Sequence, residues 1–257
     1  NIAVPGGQYH LLLKQMIKSF CPILKKLILR NIPPVSLLIP QPAGAAFKKL
    51  NPMERINKDF FLAEYKRSFG KTLSEQKKQN IFTITDAFES DPDMKSLRWL
   101  AYILATSMHE SNDTFAPVVE GYWIKPDSKR VAALYDYYRK NNPGALKTIF
   151  PNGRTGTAYY GRGRVVQLTH SFNYRLASEK VYGDDRLLRD PDMIISDASC
   201  DLAVTFRGML EGWFTGYKLG QYFPLASDKA NWKSARKIIN GLDKANLIAG
   251  YAMKFYD

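Results

Sequence analysis

The sequence predicts a mainly α-helical chain with one small extended element, and three observations carry that prediction. From Asn57 onward, apolar residues recur at three- and four-residue steps over several stretches of helical length. Gly70 and Ser74 fall where a first helix would stop and a second would start. Only residues 159–174 combine glycines with β-branched residues as a turn leading into a strand does. The 257 residues, 45% hydrophobic and 24% charged, suffice for the core of one large or two small domains.

Residues 1–52 stand apart from the rest. They carry seven Lys or Arg, no Asp or Glu, and prolines at 5, 22, 33, 34, 40, 42 and 52. Over residues 9–32 the apolar positions Leu12, Leu13, Met16, Ile17, Phe20, Ile23, Leu24, Leu27 and Ile28 follow helical steps, with Pro22 as a break or kink and residues 33–42 as an extended linker. Lys25 and Lys26 interrupt the apolar run, and no charge-free run is long enough to span a bilayer, so neither a transmembrane helix nor an ordinary signal peptide is expected. Two readings stay open: a basic amphipathic helix lying on a membrane surface, and a docking arm of a larger assembly. The net charge of +13 points to a polyanionic partner, but charge by itself does not choose among nucleic acid, anionic lipid and an anionic cell wall.

The second segment, 53–257, reads as one domain. Phe60, Phe61, Tyr65 and Phe69 mark a helix ending at Gly70; Ser74 caps a second with Ile81, Ile84 and Phe88 inward; Asp91-Pro92 breaks the chain. A third helix is predicted over 97–109, with Leu97, Leu100, Ala101, Leu104 and Met108 as an apolar stripe, and it delivers Glu110 at its C-terminal end. The helix dipole and aromatic neighbours there favour a protonated carboxyl, as a general acid requires. Trp123 offers a flat face to a sugar ring, while Tyr135, Tyr137 and Tyr138 read as packing. Residues 143–157, with three glycines, read as a mobile loop, and 198–213 as a long buried helix. In 159–174, Gly161 and Gly163 allow positive φ and close approach; Val165 and Val166 call for a strand. The alternation then sets Gln167 and Thr169 on one face, near Tyr160. Two cysteines far apart (Cys21, Cys200) and three unclustered histidines suggest no disulfide framework and no metal site; a cofactor is not expected either.

In order, Tyr159-Tyr-Gly-Arg-Gly163, Gln167-Leu-Thr-His170 and Asn173-Tyr174 closely resemble the signature of glycoside hydrolase family 19, the chitinase family that also contains many phage endolysins. Met108-His-Glu-Ser111, followed by Phe115, Pro117 and Glu120, resembles the family's catalytic helix end and the second acidic residue that phage members place about ten positions on. Leu187-Leu-Arg-Asp-Pro-Asp192 and Ala235-Arg-Lys-Ile-Ile-Asn-Gly-Leu-Asp243 resemble two further family elements, and the whole resemblance covers residues 54–257.

The resemblance implies a mainly α, lysozyme-like α+β fold with two helical lobes around a substrate cleft and a small β-hairpin. It implies an inverting glycosidase in which Glu110 protonates the glycosidic oxygen, Glu120 activates water and Thr169 helps position it. The two carboxyls would stand roughly 6.5–9.5 Å apart. Tyr160, Arg162, Gln167, Asn173, Asn240 and Trp123 are the expected sugar contacts. Plant-type members carry their second glutamate elsewhere, which leaves Glu179, Asp184 and Asp243 as alternatives to Glu120. The family's chitinases also have a Glu and an Arg in the network that tunes catalysis; Asp243 stands near the place of the Glu, and the Arg has no evident counterpart.

The expected substrate is peptidoglycan rather than chitin, given the basic charge, the spacing of Glu110 and Glu120 and the lack of disulfides. The expected place of action is the bacterial wall, from the periplasm or the exterior, by an enzyme that is virion-associated or released at lysis. Residues 1–52 would meet an anionic membrane or phage structural proteins, and no nucleic acid partner is expected. The alternatives are a chitinase, and a non-catalytic wall-binding part of a phage particle with a membrane-active N-terminal segment.

Overall fold

The computed structural model describes residues 55–257; the 1–52 segment, with its expected amphipathic helix and linker, lies outside the described residues. Helix α1 (Lys58–Phe69) starts where the Asn57 side chain accepts from the Phe60 N–H, and it closes at Gly70 with φ 65°. That left-handed conformation costs glycine nothing. Helix α2 (Glu75–Ser90) begins with the Ser74 hydroxyl accepting from the Lys77 N–H and turns Ile81, Ile84 and Phe88 wholly inward.

Helix α3 (Leu97–Glu110) departs from the single apolar stripe expected of it, because it is buried on all sides from Arg98 to Met108. A helix in that position must satisfy its polar side chains internally. The Arg98 guanidinium donates to the carbonyls of Pro224, Ser227 and Lys229, the Trp99 indole to that of Phe223, and the Tyr102 hydroxyl to that of Ala235. The helix that carries Glu110 is thereby moored to the C-terminal fifth of the chain.

Strand β1 (Val118–Val119) follows, then helices α4 (Asp127–Asn141) and α5 (Pro143–Ile149). Helix α5 occupies half of the stretch expected to be a mobile loop. Pro143 sits in its first turn, where a missing N–H costs nothing, Asn142 caps it by accepting from the Ala145 N–H, and Ile149 and Phe150 are buried.

Strand β2 (Arg162–Gly163) pairs antiparallel with β1, Val118 opposite Gly163 and Val119 opposite Arg162. The strand expected through Val165 and Val166 does not form. At Gly163, φ is 138° and an added Cβ would lie 2.2 Å from the Val166 carbonyl oxygen, so the chain turns where only glycine fits. Leu168 comes back to exchange backbone hydrogen bonds with Arg162, while Val165 and Val166 enter the core.

The remaining elements are α6 (Ser171–Tyr182), α7 (Arg186–Arg189), α8 (Met193–Ser196), α9 (Ala198–Glu211), α10 (Leu219–Tyr222), a 3-10 turn (Ser234–Ile238) and α11 (Ala245–Tyr256), which packs along α3. Helix α9 stops two residues short of the expected 213, at a left-handed Gly212. The architecture is mainly helical with a single two-stranded hairpin among the described residues, as the sequence predicts.

Apolar packing falls into a large cluster, including Phe88, Tyr102, Ile103, Phe206 and Ile248, and two smaller ones around Tyr174 and Leu187 and around Leu134 and Ile149. Residues 158–168 contribute to all three: Val165 and Val166 to the first, Tyr159 and Leu168 to the second, Ala158 and Tyr160 to the third. Arg164 pins this junction to α9 through a buried ion pair with Asp201 at 2.7 Å. Burial pushes the Asp201 carboxyl up to about 6, against the pull of the arginine.

Candidate active site

Two carboxylates define the site, and different parts of the chain hold them. Glu110 ends α3 with 18% of its side chain exposed, and its Oε1 accepts from Nη1 of Arg236 at 2.8 Å. Arg236 belongs to the 3-10 turn and is 4% exposed; its Nε also donates to the Asp243 carbonyl at 3.2 Å. One guanidinium thus ties the end of α3 to the segment that carries Asn240. That turn is fixed from the other side by the Tyr102 hydroxyl. Asp243 meets Arg236 through its main-chain carbonyl rather than its carboxylate. Asn240 is exposed, with its Oδ1 accepting from the Gly241 N–H.

Glu120 follows β1, in the hairpin that the signature completes. Its N–H donates to the Gly161 carbonyl at 2.8 Å, and the Gly161 N–H donates back to Glu120 Oε2 at 3.1 Å. Its other oxygen, Oε1, accepts from the Tyr138 hydroxyl at 2.8 Å. Gly161 is also where the polar side chains of the signature converge: a Cβ there would stand 3.1 Å from Gln167 Oε1 and 3.4 Å from Thr169 Oγ1. Glu120, Gln167 and Thr169 therefore surround one glycine, and a larger residue would crowd them. Thr169 donates to the Gln167 carbonyl, Gln167 Nε2 to the Gly163 carbonyl and Asn173 Nδ2 to the Thr169 carbonyl, so the cluster is internally braced. His170 adjoins it with its Nδ1 2.8 Å from Thr148 Oγ1 and its ring stacked on Phe172. Burial lowers the His170 pKa, and the nearby Glu120 charge opposes that shift.

Two expected sugar contacts are buried in the structure. Arg162 is 3% exposed, and its guanidinium donates to Asp192, to the carbonyls of Ala158 and Tyr160 and to the Tyr174 hydroxyl. Tyr160 is buried beneath that guanidinium, 3.9 Å from its ring centre, and its hydroxyl accepts from Arg130. Both brace the hairpin from within, because a buried guanidinium has to spend its donors on internal acceptors. Trp123 is 72% exposed and sits edge to face with Tyr122. Of the alternatives to Glu120, Asp184 is gripped by its neighbour Arg186, which holds its carboxyl down to about 2, and Glu179 is exposed on α6. A cavity of about 280 Å³ opens beside the end of α3, lined by Phe69, Lys71, His109, Asn112 and Tyr251 among others; neither Glu110 nor Glu120 lines it.

Tyr138 and Arg236 are the partners that the sequence reading passed over. Val131, Leu134, Tyr135 and Tyr138 lie at helical steps on the inward face of α4. A tyrosine on such a face carries a hydroxyl that needs an acceptor, and that was the available signal.

A mainly helical fold with two carboxyls, each fixed by a partner elsewhere in the chain, suits a glycoside-hydrolase type of protein. The family model for class I chitinases, glycoside hydrolase family 19, matches residues 83–231, more than half of the chain, and the chain belongs to that family. Among its relatives is Chitinase 11 of Oryza sativa subsp. japonica, 30% identical over an alignment of 122 residues, which covers 38% of this chain and 45% of the rice protein. The match thus spans about half the length of that relative. No solved structure matches the chain. The matched family region contains Glu110, Glu120, Tyr138, Gly161 and Thr169, whereas Arg236 and Asn240 lie beyond it.

Proposed function

We propose that this protein hydrolyses β-1,4 bonds between N-acetylated amino sugars by an inverting mechanism, with peptidoglycan as substrate. The observation that carries the reading is the pair Glu110 and Glu120, each held by a partner from a remote part of the chain, with Thr169 and Gln167 beside the second. In the mechanism Glu110 gives its proton to the leaving oxygen, Glu120 takes one from water and Thr169 orients that water. Gln167, Asn173, Asn240 and the exposed Trp123 meet the sugar.

The basic charge, the spacing of Glu110 and Glu120, and a described region with a single, buried cysteine support an anionic bacterial wall as target, reached from the periplasm or the exterior at entry or lysis. Residues 1–52 act as an attachment arm, toward an anionic membrane or a phage structural protein. Binding of the full chain to anionic surfaces is therefore expected to weaken as salt shortens the Debye length from about 10 Å at 0.1 M to about 3 Å at 1 M. A second reading, chitin as substrate, is favoured by one observation: the rice relative is named a chitinase. Mass spectrometry of fragments released from purified peptidoglycan and from chitin oligomers separates the two. Products from chitin alone would overturn the wall reading, and products from neither would overturn the glycosidase.

A further inference from the structure

We propose that Tyr138 is a positioning residue for Glu120, holding the carboxylate in the orientation from which it activates water. The inference rests on the reading of Glu120 as general base and goes beyond it by naming the side chain that makes that base competent. The Tyr138 hydroxyl lies 2.8 Å from Oε1, and the Gly161 N–H lies 3.1 Å from Oε2. One donor on each oxygen fixes the plane of the carboxylate. Each oxygen keeps a further lone pair for water. Of the two donors, the Gly161 N–H belongs to a main chain already fixed by the reciprocal bond from the Glu120 N–H. The tyrosine is the donor that a side-chain change can remove.

Tyr138 is suited to this task in its protonation and in its placement. Burial, and then the charge of Glu120, push the phenol pKa well above its ordinary value, so the hydroxyl keeps its proton and remains a donor throughout the range in which a carboxylate base works. Its ring is carried on α4 beside Leu134 and Tyr135, whose packing against Ile149 and Phe150 sets the helix in place. A second titratable group near Glu120 is His170, held by Thr148 of α5 and stacked on Phe172. Of the two, Tyr138 is the one hydrogen-bonded to the carboxylate.

The test compares Tyr138→Phe with Glu120→Gln in the full chain, on whichever soluble glycan fragments the native protein cleaves. Tyr138→Phe keeps the ring and its packing and removes only the donor. The expected result is a kcat lowered by about 10- to 100-fold with KM within about twofold of native. A purely structural role would lower thermal stability and leave kcat per folded molecule at the native value. An unchanged kcat in Tyr138→Phe, with Glu120→Gln inactive, overturns the role of Tyr138 and leaves Glu120 in place. Glu120→Gln as active as native overturns both. Should Tyr138→Phe fold poorly, Tyr138→Trp in the same measurements keeps an aromatic ring and offers an N–H at a different reach; native kcat in that variant also overturns the proposal.

Discussion

Glu110 and Glu120 stand ten residues apart in sequence and are held in unlike ways. At Glu110 the partner is a buried guanidinium that keeps its charge at every working pH and reaches it from 126 residues away. At Glu120 the partners are a phenol and a main-chain N–H, both neutral donors, and the partly buried His170 feels its charge. A fixed positive charge binds the anion strongly wherever the carboxylate turns within its reach. Two neutral donors on separate oxygens bind it less strongly but set its plane. The first arrangement ties a carboxyl to a remote segment of the chain, and the second sets the direction in which a carboxylate faces.

The largest effect expected comes from removing either carboxylate. Glu110→Gln and Glu120→Gln keep the shape and lose proton transfer, so each should lower turnover by about 10²–10⁴-fold while circular dichroism and melting temperature stay near native. Digestion near the native rate in either variant would remove that residue from the mechanism.

Next in size is the loss of Arg236. Arg236→Ala leaves Glu110 without its cation and the Asp243 carbonyl without its donor. Removing one partner of a fully buried pair costs about 3–5 kcal/mol, and the partial exposure of Glu110 reduces that here to about 1–3 kcal/mol. Arg236→Lys restores the charge but not the two-way reach of the guanidinium, so it should recover part of the stability and less of the activity. Equal stability of native and Arg236→Ala in urea melts would show that the pair contributes nothing to the fold. It would then bear on Glu110 alone.

Much of the fold was legible because helices announce themselves locally: the caps at Ser74 and Gly70 and the inward Ile81, Ile84 and Phe88 fall where periodicity places them. Helix α5 was missed because Pro143 and Gly144 read as loop signals, although proline in the first helical turn is as good a start as a break. Glu110, Glu120, Gln167 and Thr169 were legible as residue types in order. The inward turn of Arg162 was not, since a guanidinium between two glycines reads the same whether it faces solvent or Tyr160. Arg236 lay inside a recognised motif and Tyr138 on an apolar helix face. Their partners are 126 and 18 residues away, distances over which neither spacing nor propensity carries information.

The smallest expected effect separates the two halves by pH. His170 has its pKa depressed by burial, with Glu120 acting against the shift, so the folded state prefers the neutral ring more than the unfolded chain does. Above the unfolded value near 6.5 both states are neutral and the contribution of His170 to stability is complete. As pH falls below about 6.5 the unfolded chain takes up the proton first, and stability declines until the folded state is protonated as well. The ring is partly solvated, so the loss should stay under about 1 kcal/mol. Melting temperatures between pH 5 and 8 would show it as a shallow slope that is absent in His170→Asn. Arg236 keeps its charge over that range, so Arg236→Lys should retain the native slope. If His170→Asn keeps it too, the pH sensitivity lies elsewhere among the carboxylates, and the half of the site around Glu120 owes nothing to its histidine.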